Sequence, residues 1–163
     1  MEIIRAESTD DVALIATLAD TIWRDHYTPI IGKGQVDYMM ERFQSPEAIA
    51  NQIATGQTYE ILVHQEQAIG YIAYEPRGKD LFLSKYYVQK SERGKGFGKL
   101  AMLHIINCAK SLNCKQITLT VNKDNTHSIA AYKKMGFQIT GPIVQDIGNG
   151  FVMDDYRMAF SLS

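Results

Sequence analysis

Hydrophobic positions along this chain change their period several times, and each change marks an element. Ile3 to Ala6 reads as a short first strand. Val12, Ile15, Leu18, Ala19 and Ile22 then recur at the three- and four-residue spacing of a helix with one apolar face, with Ser8 or Thr9 placed to cap it. A second helical stretch covers about Gln35 to Phe43, and Pro46 restarts a third through Ile49 and Ile53. Tyr59 to His64 and Ala68 to Tyr74 predict a hairpin around Gln65-Glu66-Gln67, and Leu81 to Val88 is the next strand. Alternation breaks at Ser84-Lys85-Tyr86-Tyr87, which predicts a bulge. Gly98 to Leu112 is apolar around most of a helix, with His104, Asn107 and Ser111 on a polar strip, and is expected to be largely buried. Lys115 to Val121 alternates, with Ile117, Leu119 and Val121 on one face. After a short helix around Tyr132, Phe137 to Val144 and Phe151 to Leu162 complete a sheet, joined across Gly148-Asn149-Gly150. The order βαααβββαβαββ predicts a mixed α/β sheet in a single domain over residues 1–163.

Between the third of these long strands and the long helix stands Arg93-Gly94-Lys95-Gly96-Phe97-Gly98-Lys99. Glycines at alternate positions let main-chain N–H groups turn inward toward an anion. The helix that follows adds unpaired N–H donors and the positive end of its dipole. Arg93, Lys95 and Lys99 add positive charge. A P-loop would need a hydroxyl residue after Gly98-Lys99, where Leu100 stands. A dinucleotide fold needs its glycines tight against the strand end and an acid at the end of the next strand, which here ends near Val121-Asn122. The further signatures of a protein kinase are missing from 163 residues.

A second segment, Asn125-Thr126-His127-Ser128-Ile129-Ala130-Ala131-Tyr132, followed by Gly136-Phe137, begins just past the alternating strand. Asn125 is placed as a helix N-cap and Gly136 as a C-terminal glycine. Arg93-x-x-Gly96-x-Gly98 together with this pattern resembles the GCN5-related N-acetyltransferases (GNAT), specifically over about residues 60–140. That resemblance implies the acyl-coenzyme A N-acyltransferase fold: a mostly antiparallel sheet with flanking helices and two splayed central parallel strands, here Leu81–Val88 and Lys115–Val121. It also implies acetyl-coenzyme A as co-substrate. Its pyrophosphate would lie on Arg93, Gly94, Lys95, Gly96, Phe97, Gly98 and Lys99. Its pantetheine arm would meet the main chain of Tyr86 and Val88, and Asn125, Ser128 and Tyr132 would form the other wall. A homodimer is a further expectation from the family.

Acetyl transfer to an amine poses two proton problems. An amine of pKa about 10.4 is neutral in roughly one molecule per thousand at pH 7, and the departing thiolate, of pKa about 8.5, needs a proton. A phenol held within hydrogen-bonding distance can supply that proton, and Tyr132 holds the family's position for it. No glutamate stands early on the Leu81 strand, where some relatives place the base. His26, Tyr27, Glu75, Asp146, Asp154 and Asp155 stay open as bases. Trp23 and Tyr27 offer aromatic faces, and Asp154 and Asp155 offer carboxylates, a combination suited to a cationic amine. These segments loosely resemble bacterial spermidine/spermine acetyltransferases. A polyamine or other small amine is therefore the expected acceptor, against a peptide or protein amine, or a non-catalytic acyl-coenzyme A sensor.

Charge and composition narrow the field further. A formal net charge of −1 carries no basic footprint for nucleic acid, and 45% hydrophobic residues suffice for a packed core. Cys108 and Cys114 have neither metal nor redox spacing, and the four histidines lack ligand-like spacing, so no metal is expected. No stretch reads as a signal peptide or membrane span, and a cytoplasmic protein without membrane contact is the expectation.

Overall fold

The computed structural model describes residues 1–162. Among the described residues, five helices and seven strands follow in the order β1 (Glu2–Arg5), α1 (Thr9–Ile31), α2 (Lys33–Phe43), α3 (Pro46–Ala54), β2 (Thr58–His64), β3 (Gln67–Arg77), β4 (Asp80–Val88), α4 (Phe97–Ser111), β5 (Gln116–Asn122), α5 (Thr126–Met135), β6 (Gln138–Gly148) and β7 (Phe151–Ser161). A 3-10 turn at Lys90–Glu92 precedes α4. The strands form one sheet in the order β1-β2-β3-β4-β5-β7-β6. β1–β2, β2–β3, β5–β7 and β6–β7 are antiparallel. β4 and β5 are parallel, with Asp80, Leu81 and Phe82 opposite Gln116, Ile117 and Thr118. The expected fold class, a mostly antiparallel α/β sheet around a central parallel pair, is the one this chain adopts. Among the described residues no helix is long and apolar enough to cross a membrane.

The chain falls into two compact units that divide β4 and α4 between them. The first comprises Met1–Glu75 and Lys85–Ile105. Its leading helix starts where the sequence places a cap: the Ser8 hydroxyl accepts from the Asp11 N–H at 3.1 Å, and the Asp11 carboxylate accepts from the Ser8 N–H at 3.0 Å. This reciprocal box satisfies two donors that a bare helix end would leave open. α1 runs on through Pro29 to Gly32, whose φ of 85° ends it. Ser45 and Pro46 open α3 as cap and first helical residue. The β2–β3 turn takes positive φ at two non-glycine residues, Gln65 and Glu66. Tyr59, Ile61, Tyr71, Ile15, Ile22 and Ile49 are among its fully or nearly fully buried side chains.

The second unit comprises Pro76–Ser84 and the chain from Ile106 on. Ile117, Leu119 and Val121 are buried at alternate positions of β5, as their spacing predicts. Asn125 caps α5, and Gly136 closes it in the left-handed region at φ 111°. Phe137 stacks near Phe160 at 5.4 Å between ring centres. Gly148, Asn149 and Gly150 all carry positive φ and turn β6 into β7.

One expectation needs correction. α4 is not largely buried: Ala101, Met102, Ile105 and Ala109 face inward, while Leu100 and Leu103 are about half exposed, at 49% and 50%. One apolar face, repeating every three to four residues, is enough to seat a helix on a sheet. Leucines outside that face add apolar composition without adding burial.

Candidate active site

In the first unit, the glycine segment forms an open cradle. Gly94 and Gly96 have φ of 79° and 86°, a region that side chains other than glycine's strain to enter. A Cβ at either would meet nothing within 4 Å, so space stands in front of the loop. α4 starts immediately afterwards at Phe97, and the Leu100 N–H already bonds the Gly96 carbonyl at 3.1 Å. The N–H groups ahead of it belong to the first turn of a 15-residue helix, where the dipole favours an anion.

Two of the three cations here are engaged. Arg93 Nε donates to the Val88 carbonyl at 2.9 Å, and Lys95 pairs with Glu92 at 3.0 Å. Lys99 is exposed on the first turn of α4. Backbone N–H groups are therefore the main donors the loop offers. The Phe97 ring is buried, 4.6 Å from the His64 ring, so only its main chain is available at the loop.

Tyr86 does something the sequence did not reveal. Its hydroxyl donates to the Gly98 carbonyl, tying β4 to the first turn of α4. Burial pushes this phenol up to about 12, so it stays a donor. A Cβ on Gly98 would come within 3.0 Å of that hydroxyl, which gives the third glycine its own reason. A second tie lies further along: buried Glu60 accepts from the Tyr74 hydroxyl at 2.5 Å, and His104 Nε2 of α4 stands 2.9 Å from the same oxygen. Both ties hold the helix whose N-terminus forms the cradle.

Trp23 and Tyr27 stack at 4.4 Å between centres, and Tyr87 of β4 stands at 5.9 Å and 6.5 Å from them. Tyr71 of β3 lies 5.4 Å from Tyr87. Its hydroxyl donates to Gln44 Oε1 at 3.1 Å. Burial drives this phenol well up; the Tyr59 phenol adds to that and the nearby Trp23 indole N–H opposes it. The indole N–H is nonetheless not aligned for a hydrogen bond and finds no acceptor. On β4, two residues before Tyr87, stands half-buried Lys85, which the sequence reading did not single out. Burial lowers its ammonium to about 8, against an opposing pull from the Glu75 carboxylate. A lysine inside an otherwise apolar strand, where alternation breaks, is the signal that could have found it.

In the second unit, Asn125 is 3% exposed and its side chain accepts from the Ser128 N–H at 3.4 Å. Ser128 and Tyr132 are half-buried on the helix this cap starts, and Tyr132 packs 5.5 Å from the Phe137 ring. Asp154 is matched already by Lys123 at 2.8 Å, whose ammonium also lies 5.5 Å from the centre of the Tyr156 ring. Asp155 is buried, and its carboxyl is pushed up to about 6 by burial and by Asp154, with Lys123 opposing. Asp146 serves the hairpin turn, accepting from the Gly148 N–H at 2.8 Å.

Comparison with known proteins agrees with this arrangement. The family described as "Acetyltransferase (GNAT) family" matches residues 17–137. A peptidyl-lysine N-acetyltransferase of Salmonella typhimurium, YjaB, is 26% identical over 68% of this chain and 70% of its own length. A probable spermine N(1)-acetyltransferase of Bacillus subtilis subsp. natto is 33% identical over 39% of this chain and 42% of its own. The PaiA N-acetyltransferase of Thermoplasma acidophilum, solved in complex with coenzyme A, shares the fold at a TM-score of 0.81. It is 19% identical, over 99% of both chains. This chain belongs to the GNAT family of acetyltransferases.

Proposed function

We propose that residues 1–163 act as one domain that transfers acetyl from acetyl-coenzyme A to a small primary amine, by direct attack and without a covalent enzyme intermediate. The observation that carries this reading is the open loop at Gly94 and Gly96, in positive φ, running straight into α4. Its donors suit a pyrophosphate, a doubly charged group that bonds several N–H groups at once. Arg93, Gly94, Lys95, Gly96, Phe97, Gly98 and Lys99 would hold it. The main chain of Tyr86 and Val88 would take the pantetheine amides, and Asn125 and Ser128 would contact the same arm. Tyr132 would give its phenolic proton to the departing sulfur.

The acceptor in this reading is recognised first by aromatic faces. Trp23, Tyr27 and Tyr87 form a set on which an ammonium can rest, an interaction of about 0.5–2 kcal/mol per ring. Spermidine and spermine are the leading acceptors; a spermine N(1)-acetyltransferase activity is named for one relative, as probable. A peptidyl lysine, named for another relative, presents the same alkylammonium at its tip. Of the two acids expected to take part, Asp154 is engaged by Lys123, which leaves Asp155 as the candidate carboxylate.

Replacing Tyr132 with Phe removes the acid and keeps the ring. The expected result is a fall in kcat of about 100-fold or more, with acetyl-coenzyme A affinity unchanged by calorimetry. An unchanged kcat would remove Tyr132 from the role.

A further inference from the structure

A cradle of main-chain N–H groups works only while its peptide planes stay aimed, and a side chain of β4 holds one of them. We propose that Tyr86, through its hydroxyl, is a positioning residue for the pyrophosphate of acetyl-coenzyme A: it fixes and polarises the Gly98–Lys99 peptide, whose N–H end faces the loop. This role rests on the acetyl-coenzyme A reading above, in which only the main chain of Tyr86 takes part.

The Leu100 N–H bonds the Gly96 carbonyl at 3.1 Å and closes the first turn of α4. The N–H groups of Phe97, Gly98 and Lys99 come before it, and a helix offers no acceptor of its own to its leading N–H groups. They point toward the helix N-terminus, where Gly94 and Gly96 leave open space. The Lys99 N–H shares one rigid plane with the Gly98 carbonyl, and in a trans peptide the two point in opposite directions. Holding one end therefore aims the other.

The Tyr86 hydroxyl donates to that Gly98 carbonyl. The bond draws electron density toward the oxygen, which makes the N–H at the far end of the plane a stronger donor. An anion with several oxygens depends on such aim, because each N–H must reach it at about 2.7–3.2 Å and in line. Tyr86 and Gly98 belong to the same compact unit, so the tie is internal to it.

Gly98 carries a second sign of the contact. A Cβ there would stand 3.0 Å from the Tyr86 hydroxyl oxygen and 3.7 Å from the ring carbon that bears it. Only the oxygen is too close. Gly98 is not among the glycines with positive φ, and alanine is otherwise the better helix residue. Within the chain, then, it is the tyrosine hydroxyl that asks for glycine here.

The test uses the full chain. Y86F keeps the ring and removes the hydroxyl. Coenzyme A, which carries the pyrophosphate, should bind it about fivefold more weakly by calorimetry. Pantetheine, which lacks the pyrophosphate, should keep its wild-type affinity by ligand-observed NMR. General damage to β4 would weaken both ligands alike. G98A gives an independent reading. In the wild-type background its Cβ displaces the hydroxyl, and coenzyme A should bind more weakly by a similar factor. In the Y86F background the obstacle is gone, and G98A should add no further loss. The double variant should then match Y86F, where independent effects would multiply to about 25-fold. Equal losses for both ligands, an unchanged coenzyme A affinity in Y86F, or multiplied losses in the double variant each overturn the proposal.

If wild type binds no coenzyme A, the cofactor reading fails on its own account, and the tie is then read directly. By the helix period the Met102 N–H bonds the same Gly98 carbonyl. Its amide hydrogen exchange should be about fivefold faster in Y86F than in wild type, with that of Ile105, one turn on, unchanged. Equal exchange at Met102 in the two proteins overturns the proposal without reference to any ligand.

Discussion

Buried Asp155 and half-buried Lys85 make this chain's stability depend on pH, with opposite signs in two windows. Asp155 in the folded chain keeps its proton up to about pH 6, whereas an unfolded aspartate releases it near 3.8. Between those values the folded state holds more protons, so stability falls as pH rises from about 4 to 6. Asp155→Asn removes this dependence, and is expected to raise stability at pH 7 by up to about 3 kcal/mol. Melting temperatures at pH 4, 5, 6 and 7 check it; a variant whose profile parallels the wild type's contradicts it. Lys85 works the other way. Its folded value of about 8 lies below the ordinary 10.5, so the unfolded state holds more protons between them and stability rises with pH across that window. At pH 7, K85M should melt a few degrees higher than wild type, since removing a half-buried, weakly matched ammonium is worth on the order of 1–2 kcal/mol after allowance for its access to water. A K85M chain that melts lower would mean the ammonium is better satisfied than its surroundings indicate.

Among the elements, β3 and β4 are joined by an approach only glycine permits. A Cβ on Gly70 would stand 2.2 Å from the Tyr87 carbonyl oxygen and 3.0 Å from the Val88 Cα, both backbone atoms that cannot swing away. Gly70→Ala should therefore cost about 1–3 kcal/mol or more, roughly 2–4 °C in melting temperature for each kcal/mol in a chain of this size. It should also weaken acetyl-coenzyme A binding, because it displaces the part of β4 assigned to the pantetheine arm. Calorimetry and a thermal melt on the same preparation test both; an unchanged melting temperature contradicts the first claim. Sequence patterns located most elements because their end signals are local chemistry: Ser8 or Thr9 ahead of α1, Pro46 at the start of α3, and Asn125 with Gly136 around α5 are each readable within a few residues. The ties between elements were not readable. Tyr86 to Gly98 spans twelve residues and His104 to Glu60 spans forty-four, and nothing in a local window pairs them. Leu100 and Leu103 misled for a related reason, since composition does not record how many faces of a helix are covered.

At the scale of the whole molecule, two phosphate-loop and acid-helix patterns in order were enough to indicate the family, because each is contiguous and each needs glycine or a cap at a fixed place. The acceptor side was less legible. Trp23 and Tyr27 were visible as aromatics, but Tyr71 and Tyr87 join them only through strand pairing. Asp154 reads as available from its neighbours in sequence, but Lys123, thirty-one residues earlier, pairs with it. The proposed acceptor residues are brought together by long-range contacts, and activity measurements have to identify the acceptor. The central claim is acetyl transfer from acetyl-coenzyme A to a primary amine, and thiol release across a panel of spermidine, spermine, shorter diamines, amino acids, aminoglycosides and lysine-containing peptides tests it most directly. The account predicts acceptor-dependent thiol release with at least one alkylamine and a matching acetylated product by mass. No thiol release with any amine, together with no acetyl-coenzyme A binding by calorimetry, would contradict it.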